Sequence, residues 1–526
     1  MAAVTEIATP ATEANQHKWL IAIAVMLGTM LEIIDSSIVN VALPHMQGSF
    51  SASVDEITWV VTSYLVANGI MIPLTGWISA RFGRKRYFLL SMTAFVMASA
   101  CCGAAQSLDQ IVIFRLVQGF AGAAMVPSSQ AIMMETFPPE EQQMAMATWS
   151  MGMMVAPALG PTLGGWITDN LSWRWNFYIN VPIGILAILM VSTFLEDPSY
   201  LRPKKGGRVD YLGIATLAIG LGLMQLICDR GQRADWFASP WVVYATTASI
   251  TSLVIFTWRE LTFHDPVVDV RILLNPTFAA VVTLVVVFSF AVYGANLLNP
   301  IFLQEYLGYT AMMAGLTLSP RALASFCALL LVGQLARFGF NTRPLILASF
   351  LLMAISTWLM SHWTLQVSPW QVVGPVMLNG LGGGLLGPQL SAISLTTVPR
   401  ERMGYASSLF NMMRNTGAAV GISVLTSMLI AREQIHQARL VEHFSIFDAW
   451  RISEAAPRMP GGMSFHFLAQ SDGRHGLAMI YGMVQAQAAI LSFNDIYRML
   501  SLIALLVLPV YLVVRKAPMS TAQAGH

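Results

Sequence analysis

Apolar runs as long as a bilayer demands recur along almost the whole of this 526-residue chain, and no other feature restricts its fold so severely. A hydrocarbon core of about 30 Å takes roughly 20 residues of helix to cross. On that template the chain divides into about fourteen spans. The first is Trp19 to Leu43, the fourth Ile111 to Met134, the fifth Met144 to Ile167, the thirteenth Tyr405 to Ile430 and the last Ile496 to Val514. Composition agrees, because 56% hydrophobic against 11% charged residues and a mean hydropathy of +0.62 cannot coat a soluble surface. The predicted class is therefore an all-α polytopic membrane protein.

The net charge is only +2, so there is no excess of positive charge for a polyanion and nucleic acid is not an expected partner. Residues 1–18 are polar and include Glu6 and Glu13, and the first apolar run is long enough to span, which argues against a cleavable leader. Cys101, Cys102, Cys228 and Cys327 have no metal-type spacing and read as small buried hydrophobes. There is no phosphate-binding Walker sequence, HExxH or nucleophile elbow, so ATP hydrolysis and peptide cleavage are disfavoured. Neither a cofactor nor a metal is expected.

Charge placement predicts orientation. Lys18, Arg81, Arg84, Lys85, Arg86, Arg202, Lys204, Lys205 and Arg208 fall in segments on the same side as the N-terminus, whereas the short loops opposite hold only Arg174, Arg230 and Arg233. Basic residues are retained on the cytoplasmic face. Both termini are therefore expected inside.

The chain also repeats itself. QGFAGAAMVPSSQAIMMETFPPE (Gln118 to Glu140) aligns with NGLGGGLLGPQLSAISLTTVPRE (Asn379 to Glu401) at a constant offset of 261, and the register persists to Gly160 and Gly421. GWISARFGRKR (Gly76 to Arg86) is echoed by GQLARFGFNTR (Gly333 to Arg343). This pattern predicts two halves of like topology about an axis along the membrane normal.

Several residues within the spans are costly unless used. Glu32 and Asp35, at i and i+3, share a face of the first span, and an acidic group at that depth costs about 2.5 to 3.5 kcal/mol. A carboxyl in a low-dielectric cavity can bind and release a proton as access alternates. Arg115 in the fourth span is the expected partner, and a positive charge there would tune the proton affinity. Neutralisation of a structural pair is the compatible alternative. Val376 stands at the repeat-equivalent of Arg115, so the architecture itself does not require an arginine.

In the fifth span Gly152, Ala156, Gly160 and Gly164, with Gly165, form a small-residue stripe, and Pro157 and Pro161 each remove a backbone donor. Such a stripe permits either a bending hinge or plain close packing. Gly83 allows a tight reversal after Gly76, with Arg81, Arg84, Lys85 and Arg86 anchored at the interface. In the C-terminal half, Asn296, Asn299, Asn379, Asn411 and Arg414 lie at or near membrane depth. Each must face a cavity or a partner, and a substrate cavity is one reading of the set.

With these residues in view, the chain resembles the major facilitator superfamily, and within it the fourteen-helix drug:proton antiporters of the EmrB/QacA type. The resemblance covers Trp19 to Arg515. It rests on DSSIVNVALP (Asp35 to Pro44), GWISARFGRKR, FRLVQGFAGAA around Arg115, GMMVAPALGPTLGG, INVPIG and PIFLQEYLGYTAMMAGLTLSP. LMQLICDRGQRADWF and AREQIHQARL look closer to EmrB than to QacA. Ala80 departs from the acidic residue usual in the turn motif.

The resemblance implies two six-helix bundles plus two extra helices: a cytoplasmic tail (1–18), a first bundle (19–195), the two extra helices with flanking loops (196–275), a second bundle (276–515) containing a long periplasmic loop (431–494), and a tail (516–526). It implies a proton-coupled multidrug efflux antiporter of the bacterial inner membrane, driven by the proton gradient and exporting lipophilic small molecules. Asp35, Glu32 and Arg115 would couple the proton, and the glycine-proline helix would act as the hinge. A periplasmic membrane-fusion adaptor and, through it, an outer-membrane channel are the implied partners. A dedicated exporter of one metabolite or siderophore is the alternative, and a non-transporting scaffold or sensor the more distant one. Helical spacing at Ile435 and Ala438 and in GLAMIYGMVQAQAAI (Gly476 to Ile490), across the break at Pro457 to Gly462, predicts a hairpin-like outer element for the adaptor.

Overall fold

The computed structural model describes residues 18–196, 209–263, 266–337, 343–442 and 473–514. Arg202, Lys204, Lys205 and Arg208, the break at Pro457 to Gly462 and the tails 1–17 and 515–526 lie outside the described residues.

Among the described residues fourteen helical segments follow one another. They are α1 (Lys18–Phe50), α2 (Trp59–Phe82), α3 (Arg84–Ala104), α4 (Leu108–Thr136), α5 (Gln142–Asn170), α6 (Trp175–Phe194), α7 (Tyr211–Arg230), α8 (Pro240–Thr262), α9 (Pro276–Tyr306), α10 (Ala311–Leu318 with Pro320–Arg337), α11 (Arg343–Met360), α12 (Pro369–Thr396), α13 (Met403–Glu442) and α14 (Gly473–Leu506). Among the described residues eleven helices are long and apolar enough to cross a membrane by length and composition. No strand occurs among the described residues.

Local chemistry sets many of the ends. Ser107 and Asn275 cap α4 and α9 by accepting backbone N–H groups at 3.3 Å (Gln110) and 3.0 Å (Thr277). Gly83 has φ +91°, a conformation costly for any residue with a Cβ, and it separates α2 from α3.

Helices α1 to α6 pack on one another, and α9 to α14 do the same. The sequence repeat is visible in the packing. A Cβ on Gly119 of α4 would strike the Tyr64 carbonyl of α2, and a Cβ on Gly380 of α12 would strike the Arg321 carbonyl of α10. Likewise Gly160 and Gly164 of α5 press on Ser37 and Ile38 of α1, while Gly417 and Gly421 of α13 press on Val286 and Phe290 of α9. The halves therefore share a packing scheme as well as a sequence register.

They touch at the end that carries the basic loops. Gly76 lies against Gly404, Tyr405 and Ser408 of α13. Ser407 Oγ donates to the Pro127 carbonyl at 2.8 Å, and Asn411 Nδ2 donates to Gln130 Oε1 at 2.6 Å. At the opposite end α7 stands between the halves, packed on both α2 and α13. Its link to α2 is polar: Thr62 donates to Asp229 at 2.6 Å, and the Arg230 guanidinium lies 4.2 Å above the Trp59 ring.

Two expectations need correction. Arg84 is 3% exposed and paired with Glu135 of α4, so it is a buried structural cation instead of an interfacial anchor. Cys101 and Cys327 are exposed on the helix surface, and of the four cysteines only Cys102 is fully buried. The helical spacing read beyond the thirteenth apolar run is matched by helix, since α13 reaches Glu442 and α14 begins at Gly473. At 1.5 Å per residue, the 40 residues of α13 measure about 60 Å, roughly twice the hydrocarbon thickness. Its far end lies beside α14 through His436 with Asp495 at 2.9 Å and Gln437 with Tyr481 at 3.2 Å.

The glycine contacts make a direct test. Gly119→Ala and Gly380→Ala should each destabilise by about 1–3 kcal/mol through overpacking. Gly387→Ala, where nothing lies within 4 Å of the added Cβ, should be neutral or slightly stabilising. Thermal unfolding of the purified protein in detergent separates the two classes.

Candidate functional site

Three helices and the start of a fourth converge on Asp35. Arg115 of α4 places Nη1 2.5 Å from Asp35 Oδ2, and both side chains are at most 1% exposed. Gln118, one turn further along α4, donates Nε2 to Asp35 Oδ1 at 3.0 Å. Asn180, in the first turn of the longer part of α6, donates Nδ2 to the same oxygen at 2.7 Å and to Ser99 Oγ at 3.0 Å.

Arg115 is equally occupied. Its Nε donates to the Val60 carbonyl at 3.1 Å, its Nη1 also reaches Gln118 Oε1 at 2.9 Å, and its guanidinium lies 4.2 Å from the Tyr64 ring centroid. A buried charge is tolerated when paired and fully hydrogen-bonded. Here the charge is paired, and Nε and Nη1 both donate.

Glu32 does not join this pair. From the same helix it turns to α2, where Asn68 Nδ2 donates to its Oε1 at 2.9 Å. Its other oxygen is buried without a partner. Arg414 of α13 is within electrostatic range of Glu32. That arginine is half-buried, and its Nε also has no hydrogen-bond partner. Glu32 is thus held by α2 and also feels a charge of the opposite half, while Asp35 is held by α4 and α6 of its own.

The stripe on α5 seats α1. A Cβ on Gly152 would meet Met26 Cε at 2.5 Å, on Gly160 it would meet Ser37, and on Gly164 the Ile38 Cγ2 at 3.0 Å, whereas Gly165 is looser at 3.9 Å from Val41. Pro157 and Pro161 lie inside the continuous helix, and their side chains are outside the described set. Of the turn residues, Gly76 and Gly83 act as described above, and Arg81 lies 5.5 Å from the Trp77 ring centroid.

The C-terminal polar residues do not form one cavity. Asn299 accepts from Tyr497 of α14 at 2.6 Å, and Asn411 closes the contact between halves. Asn379, the repeat counterpart of Gln118, is buried in α12, and Asn296 is exposed on α9. Only Arg414 faces the acidic residues of α1. Gln118, Asn180, Asn68 and Tyr64 were not singled out as site residues from the sequence. A polar residue one turn from Arg115, and another at the start of a span, were the available signals.

Residues 25–422 match the Major Facilitator Superfamily model. The chain belongs to the major facilitator superfamily. Within the superfamily it is 38% identical over 436 residues to the multidrug export protein EmrB of Haemophilus influenzae, covering 82% of this chain and 84% of that one. It is 35% identical to the EmrB protein of Escherichia coli K12 over 82% and 83%, and 32% identical to the fatty acid resistance protein FarB of Neisseria gonorrhoeae over 95% and 96%. The human organic anion transporter MFSD10 superposes with a TM-score of 0.60 at 15% identity, over 93% of this chain and 99% of that one, which establishes the shared fold. Family and fold are those of a multi-pass membrane transporter.

Removing one member of the buried pair leaves the other uncompensated. Arg115→Ala and Asp35→Asn should each cost about 3–5 kcal/mol, and Asp35→Asn/Arg115→Gln should recover part of that loss. A double variant no more stable than either single one, by thermal unfolding, would show that the two charges are not coupled.

Proposed function

We propose that the protein is a proton-coupled multidrug efflux antiporter of a bacterial inner membrane, with both termini cytoplasmic, exporting lipophilic small molecules. The observation that carries this reading is the acidic site on α1, built around a buried arginine that the repeat does not reproduce. The full-length likeness to proteins named for multidrug export supports the direction of transport. With the basic loops inside, the contacts between the halves lie at the cytoplasmic end, which supports reading this conformation as outward-facing.

Alternation about a central cleft would then exchange access between the two sides. One charge moving through 100 mV supplies about 2.3 kcal/mol, enough for roughly a fifty-fold gradient per proton, since about 1.4 kcal/mol corresponds to tenfold. The extended ends of α13 and α14 supply a helical surface on the periplasmic side, suited to a membrane-fusion adaptor and, through it, an outer-membrane channel. The near full-length likeness to FarB favours, as a second reading, export of a single amphipathic class.

A resistance panel in a host without its own pumps, with proton flux followed in inverted vesicles, tests the assignment. Resistance to several unrelated lipophilic compounds and proton efflux on substrate addition are expected. Resistance to one class alone would select the dedicated exporter, and no proton movement would defeat antiport. Replacing Ile435 to Gln470 by a short Gly/Ser linker should preserve folding and substrate binding while abolishing adaptor crosslinking and resistance. Unchanged crosslinking would remove the docking role.

A further inference from the structure

The two carboxyls of α1 lie one turn apart and occupy opposite chemical situations. Asp35 accepts from three N–H donors, on Arg115, Gln118 and Asn180. A nitrogen engaged as a donor cannot accept a proton in return. Protonating Asp35 would set its hydrogen against one of these donors and strand Arg115 as a buried cation without its counter-ion. The cluster is complete only with Asp35 ionised.

Glu32 has the reverse balance. A single donor, Asn68 Nδ2, serves Oε1, while Oε2 is buried and bare. The Tyr64 hydroxyl of α2 is the neighbouring group that acts on this carboxyl. A phenol both donates and accepts, so it can serve a carboxylate or a carboxylic acid at this position. The charged groups acting on Glu32 are Asp35 on its own helix and Arg414 on α13, and Tyr64 is the other titratable neighbour. Since Arg414 belongs to the other half, its attraction for Glu32 crosses the plane on which the halves move.

We propose that Glu32 is the carboxyl that takes up and releases the transported proton, while Asp35 remains ionised against Arg115 as a positioning residue. This rests on the antiport reading and divides the work within its site. In the outward-facing state a proton from the external solution joins the Glu32 carboxylate, giving the neutral acid. In the inward-facing state the same O–H bond breaks and the proton leaves to the cytoplasm, with no other bond changed. Protonation switches off the Glu32–Arg414 attraction, so the charge that crosses the membrane also sets how strongly the halves hold together.

Infrared difference spectroscopy on the purified full-length protein in lipid nanodiscs, exchanged between acid and alkaline buffer, reads the titrating carboxyl directly. Wild type should show the carbonyl stretch of a carboxylic acid shielded from water on acidification. Glu32→Gln should lose that component, and Glu32→Asp should restore it at a shifted frequency. Asp35→Asn should keep it. Its survival in Glu32→Gln would overturn the proposal, as would its loss in a folded Asp35→Asn variant. Because Glu32→Gln alone decides the matter, misfolding of the Asp35 variant does not rescue the idea. In vesicles with ethidium as the probe, Glu32→Gln should bind ethidium but lose all ethidium-driven proton movement. If wild type itself moves no proton, the antiport reading fails, and the spectra still report which carboxyl titrates.

Discussion

A guanidinium placed in the apolar interior of a membrane protein dictates the arrangement of everything near it. Arg115 is satisfied by a carboxylate, a backbone carbonyl, an amide oxygen and an aromatic face, drawn from α1, α2 and α4. Asp35 in turn needs the amides of Gln118 and Asn180. Four helices are therefore committed to one small volume, because any missing partner leaves a buried charge incompletely solvated. This requirement ties the helices of the N-terminal half together more specifically than its apolar surfaces can, since lipid competes with those surfaces on nearly equal terms.

Glycine supplies the complementary condition. Asp35 reaches Arg115 only if α1 sits close to its neighbours, and the α5 stripe lets the backbone of α1 approach to side-chain contact at Ser37 and Ile38. The same approach recurs between α13 and α9, where the glycines meet backbone carbonyls. Among the described residues, fully buried arginine–carboxylate pairs occur in the N-terminal half alone, whereas close helix approach belongs to both. The repeat preserved the geometry of contact and left the chemistry at its centre free to diverge, as Arg115 and Val376 illustrate.

The all-helical membrane architecture was legible because a bilayer imposes a length of apolar helix on any sequence that crosses it. The resemblance to a transporter family and the pairing of Arg115 with Asp35 were legible for a related reason: charges inside such spans are few enough that a partner can be named. What escaped was direction. Residues at i and i+3 differ by about 60° around a helix, and that angle sends Asp35 to α6 and Glu32 to α2. Arg84 was misjudged because its partner, Glu135, lies 51 residues away and is adjacent only after α3 and α4 have packed. The far ends of α13 and α14 were legible from helical spacing, but pairs such as His436 with Asp495 that join them were not.

Helix α7 bears on how the two halves can move. It binds the outer part of α2 through Asp229 and Arg230 and also packs on α13, so one side of the cleft is spanned by a third element while the other side, between α5 and α10, has direct contact alone. A body fastened along one edge turns about that edge. Any rocking of the halves would consequently be lopsided, with the larger excursion on the α5 and α10 side. A solute dissolved in the lipid leaflet would meet a wall on one flank of the protein and a widening slot on the other.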